Sequence, residues 1–279
     1  MSSKSFPDPD AITIEENNDT LKVMSWNLWW KFEDYLERQK LIFSEIEKLT
    51  PDIMCFQEVW EEEDESQADK IASLLGYEFV YGKSFDFDGV AFGNAIISKY
   101  PIQDHSVNYM AAEQKYDEKR LLLHAQILYK EMNLDIMCTH LNYKYEHQHV
   151  RDDQVKYILK YISNLKKSKF PVILCGDFNA DPNSDEIRMI TGHRKPVEEI
   201  VLRDSWNMTN PESLGFTWSI KNSYAKKTVE SDRRIDYIFV GKAGSKGLGH
   251  PLSTILVGTD KNNNRFPSDH FGIMTHLAG

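Results

Sequence analysis

Short runs of apolar residues alternate along the chain with longer stretches in which apolar residues recur every three or four positions. The run at residues 172–175 lies between Pro171 and Gly176, and it is too short to be a helix of a globular protein. An uninterrupted apolar run of this length predicts a strand that is buried on both faces. Because several polar residues follow this strand directly, we take it as the centre of the predicted fold.

The same pattern predicts further strands. The link at residues 129–133 is short enough to join two neighbouring strands as a hairpin. Besides residues 172–175, the predicted strands are residues 21–26, 53–56, 79–82, 91–98, 121–128, 134–139, 216–219, 235–240 and 272–276.

Other segments have the spacing of helices. Ser66 and Asp69 are placed as in a capping box, and Gly76 follows the segment that they begin. The predicted helices are residues 37–49, 66–75, 155–165 and 184–190. Since strands and helices alternate early and hairpins follow later, the sequence predicts an α/β protein with mixed sheets.

Composition and length indicate one large folded domain. The chain has 279 residues, of which 41% are hydrophobic and 12% aromatic, so a substantial core is expected. No linker, repeat or change of composition divides the chain. We expect a flexible N-terminal arm at residues 1–20 and a single domain at residues 21–279.

The net charge limits the classes of partner. A formal charge of −10 predicts no broad basic face, which proteins that bind nucleic acid by phosphate attraction alone usually carry. A bound metal ion could still supply local positive charge on an acidic protein. The net charge therefore favours a small substrate, or a larger one that is bound only at a local site.

Cysteine usage and the N-terminus suggest a cytoplasmic protein. Cys55, Cys138 and Cys175 lie in apolar, strand-like runs, as reduced core thiols do. The first ten residues contain no apolar segment of the kind found in secretory signals. No apolar run is long enough to span a bilayer. We expect a cytoplasmic monomer.

Polar residues recur where predicted strands end, and sites in layered α/β folds collect at such ends. Asp177 and Asn179 point the same way if the chain stays extended, so a carboxylate that accepts a proton from water would stand beside a donor amide. Asp and Asn are also common turn residues, His140 could be a core histidine, and Glu58 could belong to the acidic run at 61–65. The recurrence favours a site composed of Asn27, Glu58, His140, Asn142, Asp177, Asn179, Asp236, Asp269 and His270.

The ordered set of these segments resembles the endonuclease/exonuclease/phosphatase superfamily, which includes exonuclease III, deoxyribonuclease I, neutral sphingomyelinases, inositol polyphosphate 5-phosphatases and deadenylases. The resemblance runs in the family order from near residue 21 to near the C-terminus. The matching segments are Ser25-Trp26-Asn27, Pro51-Asp52-Ile53 leading to Gln57-Glu58, Gly93-Asn94-Ala95-Ile96-Ile97-Ser98, Thr139-His140-Leu141, Gly176-Asp177-Phe178-Asn179, Arg234-Ile235-Asp236-Tyr237 and Ser268-Asp269-His270.

This resemblance implies a four-layered α/β sandwich of two packed mixed sheets flanked by helices. It also implies hydrolysis of a phosphoester at a site for Mg²⁺ or Mn²⁺ at one sheet edge. Glu58 would be the principal metal ligand, because hard cations prefer oxygen, with Asn27 and Asp269 assisting directly or through water.

The resemblance also assigns roles to the remaining residues. Asp177 would orient or deprotonate the attacking water, while Asn179 and Asn27 would hold phosphate oxygens. His270, oriented by Asp236, would stabilise charge in the transition state if protonated. His140 would donate to a non-bridging oxygen or help the leaving group.

One position departs from the pattern of exonuclease III-like repair enzymes. They place an acidic residue two positions after the Asn of the first motif, where this chain has Trp29. This departure argues against an abasic-site nuclease. Trp29 and Trp30 could stack on a base, cover an apolar group or belong to the core.

The shared motifs would bind only the phosphate group and the metal ion, so they do not identify the rest of the substrate. A phosphodiesterase or nuclease is favoured over a phosphatase or sphingomyelinase-like phospholipase acting on a lipid or inositol phosphate, and over a non-catalytic binding module. Lys221, Lys226 and Lys227 beside Trp218 and Tyr224 could meet an anionic planar substrate or form a solvated loop. His147 and His149 could form a second metal site or lie in a solvated loop. Specificity is expected from the segments 61–69, 86–93, 109–119, 143–149 and 207–232.

Overall fold

The computed structural model of the protein describes residues 20–110, 119–261 and 265–279. Residues 1–19 of the predicted arm at 1–20, and most of the segment 109–119, lie outside these ranges, whereas Thr20 begins the first strand. The described strands are β1 (Thr20–Asn27), β2 (Ile53–Glu61), β3 (Glu78–Phe87), β4 (Val90–Ser98), β5 (Ile102–Met110), β6 (Arg120–Tyr129), β7 (Met132–His140), β8 (Ile173–Asp177), β9 (Arg203–Asp204), β10 (Asp236–Val240), β11 (Pro251–Val257) and β12 (Gly272–Ala278). The described α-helices are α1 (Tyr35–Leu49), α2 (Gln67–Leu75), α3 (Gln148–Ser163), α4 (Asp185–Ile190) and α5 (Ser205–Thr209).

The strands form two packed sheets. Their orders are β11-β12-β1-β2-β4-β3 and β5-β6-β7-β8-β10-β9. Apolar side chains of both sheets meet between them, among them Val23 and Ile96 of the first and Leu123 and Ile136 of the second. On the outer faces, α1 and α2 pack on the first sheet, and α3 and α4 pack on the second. This confirms the predicted four-layered sandwich of two mixed sheets flanked by helices.

Because of their directions, several strands of the two sheets end at the same edge of the sandwich. β1 pairs with β2, and β7 with β8, in parallel, whereas β12 is antiparallel to β1 and β10 is antiparallel to β8. The carboxyl ends of the four parallel strands therefore lie beside the amino ends of β10 and β12. At this edge Asn27, the last residue of β1, contacts Asp177, the last residue of β8.

Gly176 allows β8 to lie close to β7. A Cβ atom at this position would come 2.2 Å from the backbone carbonyl oxygen of Thr139. The glycine of the Gly-Asp-Phe-Asn segment therefore permits this close approach beside the pair in which Asp177 lies opposite His140.

Some predicted elements differ from the structure. The hairpin at residues 129–133 is confirmed, with a two-residue turn in which Lys130 and Glu131 have positive φ angles of 47° and 61°. α3 begins at Gln148 rather than at 155, because its first two turns are mostly polar and carry little apolar periodicity.

The predicted strand at 216–219 is wrong. In this segment only Trp218 makes β-bridges, to Arg233 and to His270. Its β-favouring aromatic composition reflects packing beside the site, since the Trp218 ring lies 4.9 Å from that of His270. β5, β9 and β11 were not predicted.

Two expectations concern the whole chain. Cys55, Cys138 and Cys175 are buried and form no disulfide, as predicted. In the part of the chain that the structure describes, each helix is too short or too polar to cross a lipid bilayer.

Candidate active site

The strand ends that meet at this edge surround a cleft of about 840 Å³. Asn27 and Asp236 lie directly behind the cleft, hydrogen-bonded to residues that line it. The predicted site residues in its lining are Glu58, His140, Asp177, Asn179, Asp269 and His270. The structure thus brings eight of the nine predicted site residues to one place, although they span most of the sequence. Asn142 does not line the cleft, and its Oδ1 accepts a hydrogen bond from the backbone N–H of Lys144 at 3.0 Å.

Asn27 links the two sheets. Its Nδ2 donates hydrogen bonds to Glu58 Oε1 at 3.0 Å and to Asp177 Oδ2 at 3.1 Å. Its Oδ1 accepts a hydrogen bond from the backbone N–H of Trp29 at 2.9 Å. Two acceptors on one side and one donor on the other fix the orientation of the amide. Asn27 therefore holds together two carboxylates that would otherwise repel each other.

A β-bulge aims Glu58 into the cleft. The pairing of β2 with β4 shifts between Phe56 and Val59, and Glu58 has a φ angle of 53°. With strict alternation, Glu58 would share the face of Phe56, which packs under the helices. The extra residue turns the Glu58 side chain toward the other face, where the cleft lies.

His270 and Asp236 form a buried pair. His270 Nδ1 lies 2.9 Å from Asp236 Oδ2, and His270 Nε2 lies 3.8 Å from Asp177 Oδ2. Burial lowers the pKa of His270, but the negative charges of Asp236 and Asp177 outweigh it and raise the pKa well above its ordinary value. His270 is therefore an imidazolium cation at neutral pH.

His140 has the opposite charge state. Its Nε2 lies 3.5 Å from Asp177 Oδ2. Burial, together with the positive charges of Arg120 and His270, lowers the pKa of His140 well below its usual value. The ring is neutral at neutral pH, so it carries a proton on one nitrogen only.

Asn179 lies beside Asp177 in a left-handed turn with a φ angle of 51°. Its backbone N–H donates to Asp177 Oδ1 at 2.9 Å, which anchors the carboxylate. Its Nδ2 donates to the carbonyl oxygen of Leu141 at 3.1 Å. Since an amide NH₂ group has two hydrogens, one remains for a further acceptor.

Three carboxyl groups in the cleft are hard to ionise. Burial and the neighbouring charge of Asp269 raise the pKa of Glu58 to about 7. Burial and the charge of Asp236 raise that of Asp177 to about 6. Burial raises that of Asp269 to about 6, although His270 and Arg38 oppose the shift. Clustered oxygen donors with too little compensating positive charge are the donor set that a hard divalent cation fits.

Three arginines near the site were not predicted. Arg120 and Arg233 line the cleft. Arg38 of α1 is buried and donates to the carbonyl oxygens of five residues, which fixes the loop after β1; they are Leu28, Trp29, Trp30, Phe32 and Pro267. Arg233 directly precedes a segment that the resemblance uses, but Arg38 and Arg120 carry no motif signal that would have identified them.

The two tryptophans after Asn27 have different roles. Trp30 is 7% exposed, packs in a small aromatic core cluster and donates its Nε1–H to the Ala91 carbonyl oxygen at 3.0 Å. Trp29 lines the cleft, with the Arg38 guanidinium 4.7 Å from its ring. The core interpretation therefore holds for Trp30, and Trp29 is available to a substrate.

Part of the lysine loop packs against the cleft, whereas His147 and His149 belong to no metal-ligating cluster of the described residues. Lys227 forms an ion pair with Glu33 at 2.8 Å, and Tyr224 packs on Trp29 with ring centroids 4.7 Å apart, so this part of the loop braces the cleft rim. Among residues 20–110, 119–261 and 265–279, no cluster of three or more metal-ligating side chains includes His147 or His149. The second metal site is therefore not supported.

Comparison with known proteins identifies the family. The model of the endonuclease/exonuclease/phosphatase family matches residues 24–270. The chain belongs to this family. Tyrosyl-DNA phosphodiesterase 2 of Homo sapiens is 26% identical over 274 residues, which cover 96% of this chain and 71% of that protein. Protein angel of Drosophila melanogaster is 26% identical over 264 residues, or 87% of this chain and 72% of that protein.

Solved structures agree on the fold. A crystal structure of D. rerio TDP2 complexed with single-strand DNA product superposes with a TM-score of 0.76. It is 22% identical to this chain and covers 94% of it and 100% of the other chain. The predicted family, the fold and the reaction class, metal-dependent hydrolysis of a phosphoester, are confirmed by these comparisons.

Proposed function

We propose that the protein is a Mg²⁺- or Mn²⁺-dependent phosphodiesterase that acts on nucleic acid. The contact of Asn27 with both Glu58 and Asp177 carries this proposal, because it joins a candidate metal ligand to a candidate base in one buried site. Two relatives support the substrate class. The human relative is named for a tyrosyl-DNA phosphodiester, and the D. rerio structure is a complex with a DNA product.

Glu58 and Asp269 would hold the metal ion, with Asn27 assisting through a water molecule because its N–H groups, not its oxygen, face Glu58. Asp177, Asp236 and His270 also place one potential ligand atom each within 4.8 Å of one another. A protonated imidazole has no lone pair to coordinate, so this second set is less suited to a cation. A bound ion would supply Lewis-acid stabilisation of negative charge on the phosphate.

The other side chains of the site would act as the base and as groups that stabilise negative charge. Asp177 accepts a proton from the attacking water, whose oxygen forms a new bond to phosphorus while the bond to the leaving oxygen breaks and leaves its electron pair there. The raised pKa of Asp177, about 6, makes it a better base than an exposed aspartate and still ionised at neutral pH. The imidazolium of His270 and the N–H groups of His140 and Asn179 stabilise charge on the phosphate oxygens.

Turnover across substrate classes tests this proposal. The protein would be incubated with a single-stranded oligonucleotide that carries a 5′-phosphodiester, with sphingomyelin, with inositol phosphates and with mononucleotides, each in Mg²⁺, Mn²⁺ or EDTA. We expect metal-dependent release of product from the oligonucleotide substrate and none in EDTA. Turnover confined to phosphomonoesters or to sphingomyelin would overturn the proposal and favour a phosphatase or phospholipase.

A further inference from the structure

The loop between β7 and α3 presents three exposed side chains to the cleft. Tyr143 and Tyr145 are each 57% exposed, Lys144 lies between them, and all three line the cleft. They supply two aromatic rings and a cation, and the mechanism above uses none of them. We call residues 141–147 the β7–α3 loop.

Side chains bind the backbone of the β7–α3 loop from beneath. The backbone N–H of Asn142 donates to Gln154 Oε1 at 3.0 Å, and Asn142 Oδ1 accepts from the backbone N–H of Lys144 at 3.0 Å. Arg151 Nη1 donates to the carbonyl oxygen of Lys144 at 2.6 Å and to that of Asn142 at 3.3 Å. Residues 141–144 form neither helix nor strand, so side chains supply the partners that a regular element would provide.

A buried ion pair holds Arg151 in place. Its Nε lies 2.8 Å from Oε1 of Glu186 on α4, and both side chains are buried. Burying two charges costs desolvation energy, and apolar residues of similar volume are often at least as stable. An apolar pair could not donate to the carbonyl oxygens of Asn142 and Lys144. What the ion pair provides, and apolar residues would not, is a fixed guanidinium beside the loop.

Part of the polar surface in the first turns of α3 faces this loop. Arg151 and Gln154 are three positions apart, lie on one face of the helix and are both buried. His140 is anchored separately, because the backbone N–H of Leu141 donates to the carbonyl oxygen of Asp177 at 2.9 Å. Loss of the Arg151 contacts should therefore leave His140 in place and release the residues beyond it.

We propose that Arg151 is a positioning residue that holds the β7–α3 loop, so that Tyr143 and Lys144 bind the substrate beside the scissile phosphate. This inference rests on the proposed phosphodiesterase function. Aromatic rings stack on bases and lysine attracts phosphate, so the loop suits the part of a nucleic acid strand next to the scissile bond. Arg151 itself is not among the described residues that line the cleft. Its loss should therefore weaken substrate binding and spare the chemical step.

Arg151→Lys tests this role with little risk of unfolding. Lysine can keep the ion pair with Glu186, but it lacks the planar fork that reaches the carboxylate and the loop carbonyl oxygens together. Turnover of a single-stranded oligonucleotide would be measured in Mn²⁺. We expect KM to rise roughly fivefold to thirtyfold, while kcat stays within twofold and Mn²⁺ affinity does not change. A fall in kcat without a rise in KM would overturn the proposal.

Arg194→Lys is the matched control. Arg194 also joins α3 to α4, through ion pairs with Asp152 at 3.2 Å and Asp185 at 3.3 Å, and neither pair involves the loop. This variant should keep the KM and kcat of the wild type. An equal rise in KM for both arginine variants would mean that the packing of α3 on α4, and not the loop contacts, is what matters.

A double-mutant cycle separates positioning from a general loss of stability. Tyr143→Ala/Lys144→Ala should raise KM of the wild type severalfold. In the Arg151→Lys background it should raise KM less than twofold, because the loop is already displaced. Additive losses would overturn the positioning role. If Tyr143→Ala/Lys144→Ala leaves KM of the wild type unchanged, the loop does not bind substrate and the proposal is wrong.

Amide hydrogen exchange over residues 141–147 tests the same contacts without a substrate. We expect faster exchange in Arg151→Lys and in Gln154→Met, which removes the acceptor of the Asn142 N–H, and no change in Arg194→Lys. Unchanged exchange in Arg151→Lys would overturn the proposal whatever the kinetics. No metal-dependent turnover of the oligonucleotide by the wild type would overturn the proposed function, and the exchange result would still decide whether Arg151 holds the loop.

Discussion

Glu58 lies where its negative charge is disfavoured. Burial, followed by repulsion from Asp269, raises its pKa from the ordinary 4.5 to about 7. A carboxyl whose pKa is higher in the folded state binds its proton more tightly when folded. Its contribution to stability is therefore fully present below about pH 4.5 and is lost as the pH rises through about 7.

Glu58→Gln removes this charge and keeps an oxygen for the Asn27 hydrogen bond. Without metal, we expect the variant to melt roughly 2–6 °C above the wild type at pH 8, with the difference shrinking toward pH 5. Binding of Mn²⁺ should be much weaker, since a charged oxygen ligand is lost. Thermal melts in EDTA from pH 5 to 8.5 and calorimetric titration with Mn²⁺ measure the two effects.

Asp64→Asn is the control for this experiment, because Asp64 lies in the exposed acidic segment after β2. It should show neither the pH-dependent gain in melting temperature nor the loss of Mn²⁺ binding. A gain for Glu58→Gln that is the same at every pH would contradict the assigned cause.

Some residues of the site could be predicted from the sequence and others could not. Asn27, Glu58, Asp177 and His270 stand in short motifs whose order along the chain is informative, so they could be chosen as site residues before the fold was known. The positive φ angle of Glu58 could not be predicted, because the bulge arises from pairing with β4. The role of Arg38 could not be predicted either, because its carbonyl partners come from loops that lie far apart in sequence.

At the scale of the elements, the close contact of β7 with β8 sets the geometry of the site. Gly176→Ala would place a methyl group 2.2 Å from the Thr139 carbonyl oxygen, so the strands would have to separate. We expect a loss of about 1–3 kcal/mol in the free energy of unfolding. We also expect a fall in kcat of roughly 10²-fold, because Asp177 and His140 follow directly and would be displaced. Chemical denaturation and steady-state kinetics measure these changes.

Gly241→Ala provides a matched control, because Gly241 directly follows the adjoining strand β10. A Cβ there would meet its nearest atoms at 3.4 Å, an ordinary contact. This variant should keep both stability and kcat close to the wild type. If the two glycine variants behaved alike, the close approach at Gly176 would not be what sets the site.

The elements missed by sequence reasoning share a physical cause. β5 and β11 are edge strands, each paired on one side only, and much of each is exposed. Their sequences therefore mix polar and apolar residues and lack the continuous apolar run that marks β8. The central strands were predicted because both of their faces are covered.

For the whole molecule, the site depends on the packing of the two sheets. Asn27, Glu58 and His270 belong to or adjoin strands of the first sheet, whereas His140, Asp177 and Asp236 belong to the second. The bond between Asn27 and Asp177 crosses from one sheet to the other. The acidic net charge of −10 makes a local cation all the more necessary for holding a phosphate in this cleft.

The most direct test of the central claim is the turnover of a 5′-phosphodiester oligonucleotide by Asp177→Asn at saturating Mn²⁺. The substitution keeps an oxygen that can accept the Asn27 hydrogen bond but removes the base. We expect kcat to fall by roughly 10²–10⁴-fold while Mn²⁺ affinity stays close to the wild type. A variant that binds Mn²⁺ normally and keeps kcat within threefold would contradict the account, because Asp177 would then not activate the water.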